Sequence, residues 1–149
     1  MNKLFLILSI ILIYSCGYSP LYLAGKNDML LNLKKIEGDQ ELNNYIKNDL
    51  RIASDSNSTN IFDIKAETKF EKIILTKDAT GDATDYSLDF TVKFIIVSEN
   101  KEVSYKESFK IKKNDKKFEE SNYEREIKKN FSEIVKDKLI LYLLNLNDN

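Results

Sequence analysis

A single thiol stands apart in this sequence. Cys16 is the only cysteine among 149 residues, and it follows a short basic start at Lys3 and the apolar run Leu4-Phe5-Leu6-Ile7-Leu8-Ser9-Ile10-Ile11-Leu12-Ile13. A lone cysteine has no disulfide partner within the chain, and acylation gives it a role. Two other groupings could also do chemistry. Lys110, Lys112, Lys113, Lys116 and Lys117 form the one dense basic run, read either as a solvated loop or as point-charge ammonium groups that contact anions such as lipid phosphates. Asp78, Asp82 and Asp85 lie around Gly81 and offer oxygens to a hard cation, but the spacing is not that of an EF-hand loop and lacks its closing glutamate. That stretch therefore reads as a turn.

Most familiar catalytic machinery is excluded by composition. The chain has no histidine, no tryptophan and no second cysteine, so zinc sites of His and Cys, Ser-His-Asp or Cys-His triads and thiol redox pairs cannot be assembled. Carboxylate pairs remain possible in principle, yet with 24 acidic residues any pair chosen on paper means little.

The N-terminal stretch has the anatomy of an export signal: basic start, apolar run, small residue before the cut. A spanning helix needs about 20 apolar residues, and this run stops at Tyr14-Ser15-Cys16, with Pro20 soon after. The order Ile13-Tyr14-Ser15-Cys16 resembles the bacterial lipobox, in which the cysteine is diacylated and becomes the first residue of the mature protein. Tyr14 is bulkier than the residue usual there. The resemblance implies a firm membrane anchor, since stable tethering needs more than one acyl chain. Gly17 stands where aspartate would imply retention at the inner membrane, so it also implies delivery to the outer membrane.

The expected division is thus a signal peptide over residues 1–15, a lipidated tether over 16–28 and a single domain over 29–146. Loss of residues 1–15 leaves 134 residues with 22 basic and 24 acidic side chains, which makes no electrostatic case for nucleic acid. No cofactor is implied.

Periodicity supplies the elements that must position these groups. Met29-Leu30-Leu31-Asn32-Leu33-Lys34-Lys35-Ile36 reads as a strand ending at Gly38. Asp39 then caps a helix whose stripe is Leu42, Tyr45, Ile46 and Leu50 and which ends near Ser54. From Ile61 the period becomes two: Phe62, Ile64, Ala66, Thr68 and Phe70 share one face, and Asp63, Lys65, Glu67, Lys69 and Glu71 the other. At Lys72-Ile73-Ile74-Leu75 the phase slips, which predicts a bulge or a new exposure. Tyr86, Leu88, Phe90, Val92, Phe94 and Ile96 form a second amphipathic strand, joined by a reversal at Ser98-Glu99-Asn100-Lys101 to a third, Val103, Tyr105, Phe109 and Ile111. Ser121 and Glu124 have the spacing of a capping box, opening a helix with Ile127, Phe131, Ile134 and Val135 on its stripe. Its continuation, Leu139-Ile140-Leu141-Tyr142-Leu143-Leu144, is apolar on all sides and is either core or a surface for another protein.

Strand, helix, three strands, helix predicts an α+β two-layer sandwich: a four-stranded mixed sheet, its first strand parallel to a neighbour, with both helices on one face. The start Cys16-Gly17-Tyr18-Ser19-Pro20-Leu21-Tyr22, followed by this element order, resembles the LptE family of lipopolysaccharide-assembly lipoproteins. The resemblance implies a non-enzymatic plug within an LptD-type outer-membrane β-barrel, which it helps to assemble, and contact with lipopolysaccharide on its way to the cell surface. The lysine run Lys110, Lys112, Lys113, Lys116 and Lys117 would then meet lipid A phosphates, a role no residue match to the family supplies. Another outer-membrane lipoprotein, serving general barrel assembly or envelope scaffolding, would share the anchor and the fold.

Overall fold

The computed structural model describes residues 28–147. Cys16, the Cys16-to-Tyr22 motif and the expected signal peptide lie outside the described residues. The elements are β1 (Leu30–Glu37), α1 (Gln40–Ala53), β2 (Ile61–Lys77), β3 (Ala83–Ile96), β4 (Lys101–Lys112) and α2 (Lys117–Asn147). They form one four-stranded sheet in the order β1-β2-β3-β4, with β1 parallel to β2 and the remaining pairs antiparallel. The α+β sandwich with order β-α-β-β-β-α is therefore the observed architecture.

Alternation along the strands decides which face the helices cover. Phe62, Ile64, Ala66 and Thr68 of β2 and Leu88, Phe90, Val92, Phe94 and Ile96 of β3 are buried, while the residues between them face the other way. Both helices pack on this one side. From α1 come Leu42, Ile46 and Leu50; from α2 come Ile127, Phe131, Val135, Leu139, Ile140 and Leu143. Phe90 sits at the middle of an aromatic cluster, its ring centroid 5.1 Å from Phe70, 5.7 Å from Phe109 and 5.0 Å from Phe131.

The turn between β1 and α1 fixes how the first helix descends onto the sheet. Gly38 has φ +113°, and a Cβ built there would lie 1.8 Å from the Thr68 carbonyl oxygen of β2. Only a residue without a side chain permits that approach. Asp39 then caps the helix as expected, its Oδ1 accepting from the Leu42 amide at 2.8 Å. Thr68, buried beneath, shares its hydroxyl proton between Asn43 Oδ1 at 2.6 Å and the Glu37 carbonyl at 3.2 Å.

Polar contacts join the two helices across their interface. Ser132 is fully buried on α2, with Oγ at 2.5 Å from Asp49 Oδ2 of α1. Lys128, 7% exposed, reaches Glu41 Oε2 at 2.8 Å and Asp39 Oδ1 at 3.5 Å and lies 4.1 Å from the centre of the Phe70 ring. Each burial of a polar head is compensated by a charged partner, without which it would be costly.

Three readings of the sequence need correction. Ser121 is not the cap of the second helix, which begins four residues earlier at Lys117. The start is instead organised by Asn114, whose Oδ1 accepts from the Lys116 amide at 2.9 Å and whose own amide donates to Glu120 Oε2 at 2.8 Å. Glu119 and Glu120 place negative charge at the helix N-terminus, where the backbone dipole favours it. Glu124 reaches Lys72 of β2 rather than the backbone. Second, Ile134 stands at the margin of the stripe and is 37% exposed. Third, the apolar helix end is not apolar core all round: Leu139, Ile140 and Leu143 are buried, whereas Leu144 is 37% exposed and Leu141 and Tyr142 are half-buried. Among the described residues no helix is long and apolar enough to cross a membrane.

The slip in phase near Leu75 proves to be both of its alternatives. Pairing with β3 skips between Ile74 and Thr76, and residues 71–77 are exposed. Asn100 adopts φ +50° in the β3–β4 reversal, as the asparagine there predicts.

Candidate functional site

Because both helices take one side, the opposite face of the sheet is left open, and its residues come from the polar positions of every strand. Across its middle two rungs align. Lys69 of β2 pairs with Thr91 of β3, which pairs with Lys106 of β4; on the next rung Glu67 pairs with Lys93, which pairs with Ser104. Side chains opposite one another on adjacent strands have Cβ atoms about 4.5–5.5 Å apart, so three lysines, two hydroxyl side chains and the carboxylate of Glu67 are brought together. They line a shallow depression of about 420 Å³.

The charges in this depression are unevenly tethered. Lys69 Nζ lies 2.8 Å from Glu71 Oε2, and Lys93 Nζ lies 2.9 Å from Glu102 Oε2. The hydrogen bond that Lys93 donates to Glu102 holds its ammonium above the ordinary lysine range, against the opposing loss of solvation. Lys106 has no ion-pair partner among the described residues. Exposed pairs of this kind are individually weak, roughly 0–1 kcal/mol, so an incoming anion can compete for all three cations. The depression offers a phosphate or another compact anion three ammonium groups and two hydroxyls, with the Glu67 carboxylate in its lining and Glu71 and Glu102 as the competing partners of Lys69 and Lys93.

The lysine run marked out by the sequence is divided by the structure. Lys110 and Lys112 lie on the open face, since Ile111 between them is buried, and they extend the column begun by Lys106 along β4. Opposite Lys112 is Asp85, whose carboxyl is kept below its usual range by the Thr76 hydroxyl first, then by Thr84 and by the charges of Lys110 and Lys112. Lys113, Lys116 and Lys117 leave the face, rounding the turn into α2. There Lys116 Nζ meets Glu119 Oε1 at 2.8 Å, and Glu119 is held below the carboxylate range mainly by that contact. Two of the five lysines therefore share the open face with the depression without lining it, and three leave that face.

Lys69, Lys93 and Lys106 were visible in the sequence only as members of wet strand faces. Separations of 24 and 13 positions hid their juxtaposition, which follows from strand register alone.

A second charged cluster lies on the helix side. Lys72 of β2 is 2.6 Å from Glu120 Oε1, is bonded also to Glu124, and sits 4.2 Å from the centre of the Tyr86 ring. Loss of hydration is the largest single influence on the Lys72 ammonium and pulls it down, but the two glutamates together outweigh it and raise it overall. The contact fastens the start of α2 to the sheet, a positioning role.

The Asp78-to-Asp85 stretch is a turn. Asp78 Oδ1 accepts from the Thr80 amide at 2.9 Å, the Thr80 hydroxyl at 2.6 Å and the Asp82 amide at 3.0 Å, and Gly81 takes φ +90°. The Thr80 hydroxyl above all keeps the Asp78 carboxyl below its usual range.

Solved structures share this architecture. Rare lipoprotein B from Shewanella oneidensis matches with a TM-score of 0.58 at 14% identity, over 79% of this chain and 98% of that one. A minor lipoprotein from Acinetobacter baumannii matches with a TM-score of 0.52 at 12% identity, over 78% and 94%. At such identities the likeness is one of fold. No protein-family model matches the chain, and no curated protein matches it in sequence.

Proposed function

We propose that this chain is a non-enzymatic, lipid-anchored lipoprotein of the outer membrane that plugs an LptD-type β-barrel, assists its assembly and takes part in lipopolysaccharide transport. The observation that carries the reading is the open polar face of the sheet: a compact two-layer domain that keeps one whole face wet fits a barrel lumen, which is itself polar. The fold it shares with rare lipoprotein B supports the same reading, as does the lipobox-like stretch at Cys16. In this role Cys16 carries the acyl chains, and the depression of Lys69, Lys93 and Lys106, continued by Lys110 and Lys112, meets the phosphates of lipid A.

Extraction of the tagged chain from its native membranes in mild detergent tests the partnership. A single large β-barrel recovered near one to one is the expected result. Recovery alone, or with a mixed set of envelope proteins, removes the barrel reading and leaves an accessory or scaffolding lipoprotein.

The ligand is tested separately. Glutamine at Lys69, Lys93 and Lys106 together is expected to weaken lipopolysaccharide binding on the order of tenfold, from about 0.5 kcal/mol for each exposed contact. Glutamine at Lys113, Lys116 and Lys117 should change it far less, because those residues stand off the face. Equal affinity in the first variant and the parent would take the depression out of the pathway.

A further inference from the structure

The open face of the sheet changes in composition at one corner. Leu30 of β1 pairs with Ile61 of β2, and each alternates with a residue buried under the helices, Leu31 and Phe62. Ile95 and Val97 alternate in the same way with buried Ile96, and the Val97 amide donates to the carbonyl of Asp63, two residues from Ile61, at 2.8 Å. Ile61 is 52% exposed and Val97 45%. Ile52, 70% exposed near the end of α1, stands at the same end of the domain, because that end of the helix is tied to the start of β1: the Leu31 amide donates to Ser54 Oγ and the Asp55 amide to the Met29 carbonyl, each at 2.9 Å. Exposed apolar side chains gathered in this way mark a contact surface.

We propose that this end of the domain is a lipid contact: Ile52, Ile61 and Val97, with Leu30 and Ile95 beside them, enter the interfacial layer of the membrane that holds the acyl chains of Cys16. The inference rests on the lipid-anchor part of the function proposed above and not on the barrel. The reach of the chain selects the occupant. Asp28 follows Cys16 by 12 positions, so the chain between them spans at most about 43 Å when fully extended. The strand β2 alone, with 17 residues, is about 55 Å long at roughly 3.3 Å per residue. The tether is therefore too short for the domain to stand on its far end, where Lys77 closes β2 and Lys72 fastens the start of α2. Ile73, Ile74 and Leu75 are exposed too, but they lie toward that far end. The chain enters the domain beside Leu30 and Ile61, which puts the apolar corner nearest the bilayer.

Charge neither drives nor opposes this contact. Asp63 is held by Lys34 at 3.3 Å and by the Asn32 side-chain amide at 2.8 Å. Around the corner Asp28, Asp55 and Glu99 are balanced by Arg51, Lys65 and Lys101. Attraction to the membrane then comes from apolar area, which salt does not screen, and not from anionic headgroups. An end-on contact also leaves the lysine depression open, since Lys93 lies four residues from Val97, about 13 Å along the strand.

The full-length chain, purified in detergent from its native membranes and reconstituted into phosphatidylcholine vesicles, tests the contact with no barrel present. A polarity-sensitive fluorophore is attached at Ile61→Cys, Val97→Cys or, as the far-end control, Phe118→Cys, and part of the lipid carries a nitroxide on its acyl chains. All three variants replace exposed side chains and should fold. Quenching several-fold stronger at Ile61 and Val97 than at Phe118, and unchanged from low to high salt, is the expected result. Equal quenching at the near and far positions, quenching lost at high salt, or a photoreactive probe at Val97 that captures a protein and not lipid in native membranes overturns the proposal. The mass of the purified parent chain keeps the anchor separate. Acylated Cys16 without quenching at the near end refutes the lipid contact alone, whereas unmodified Cys16 refutes the anchor on which it rests.

Discussion

Phe90→Ala is expected to lower the unfolding free energy by about 3–5 kcal/mol, the usual cost of removing a buried aromatic ring from a core. The size follows from position. Phe90 is 1% exposed on the central strand β3 and touches the rings of Phe70, Phe109 and Phe131, one from each neighbouring strand and one from α2. No single side chain can move into the space it leaves, because all of its neighbours are anchored on different elements. Against a typical total of about 5–15 kcal/mol, that loss leaves a marginal domain. Urea unfolding followed by far-ultraviolet circular dichroism measures it. Phe118→Ala provides the contrast: that ring is 74% exposed at the start of α2, and its removal should stay within about 0.5 kcal/mol. Comparable losses in the two variants would mean that the cluster is not the centre of the fold.

Gly38→Ala is the second large effect, and it acts through the backbone. Two costs add at this position. An L residue at φ +113° is strained wherever it occurs, and here the new Cβ would also stand 1.8 Å from the Thr68 carbonyl oxygen and 2.7 Å from its carbonyl carbon. These are backbone atoms of β2, which cannot yield without disturbing the pairs on either side. The loss should be about 3 kcal/mol or more. Gly81→Ala separates the two contributions, since Gly81 has φ +90° but nothing within 4 Å of the added carbon. It should cost only about 1–2 kcal/mol, the price of the left-handed backbone. If Gly38→Ala were no worse than Gly81→Ala, the close approach of the β1–α1 turn to β2 would be absent. Displacement of that turn should also loosen Thr68 from Asn43, so exchange of the Asn43 side-chain amide reports on the same event.

The fold was legible because it rests on local rules. The alternation from Phe62 to Phe70 and from Leu88 to Ile96 identifies the buried face residue by residue, and burial follows it. Asp39 as cap and Asn100 in the reversal are likewise decisions of a few neighbouring residues, made by side-chain hydrogen bonding and by tolerance of positive φ. The capping box at Ser121 and Glu124 misled for the complementary reason. Its spacing is real, but Lys72, 52 positions from Glu124, competes for that carboxylate, and Asn114 with Glu120 starts the helix sooner. The stripe of α2 concealed Lys128 and Ser132 in the same way. A buried lysine or serine on a helix can be anticipated only when the carboxylates that receive it, Glu41 and Asp49, are known to lie opposite.

By itself the sequence determined the element order, the apolar and wet faces of each strand and the lone thiol behind an apolar run, because period, capping and composition act over a few residues. Only the tertiary structure decided that Lys69, Lys93 and Lys106 converge, that the run from Lys110 to Lys117 is split between a strand face and a helix start, and that β2 outlasts its neighbour and leaves an edge bare. Those outcomes depend on register, and register is set by how the whole apolar face packs against two helices; it leaves no local mark on the residues it brings together.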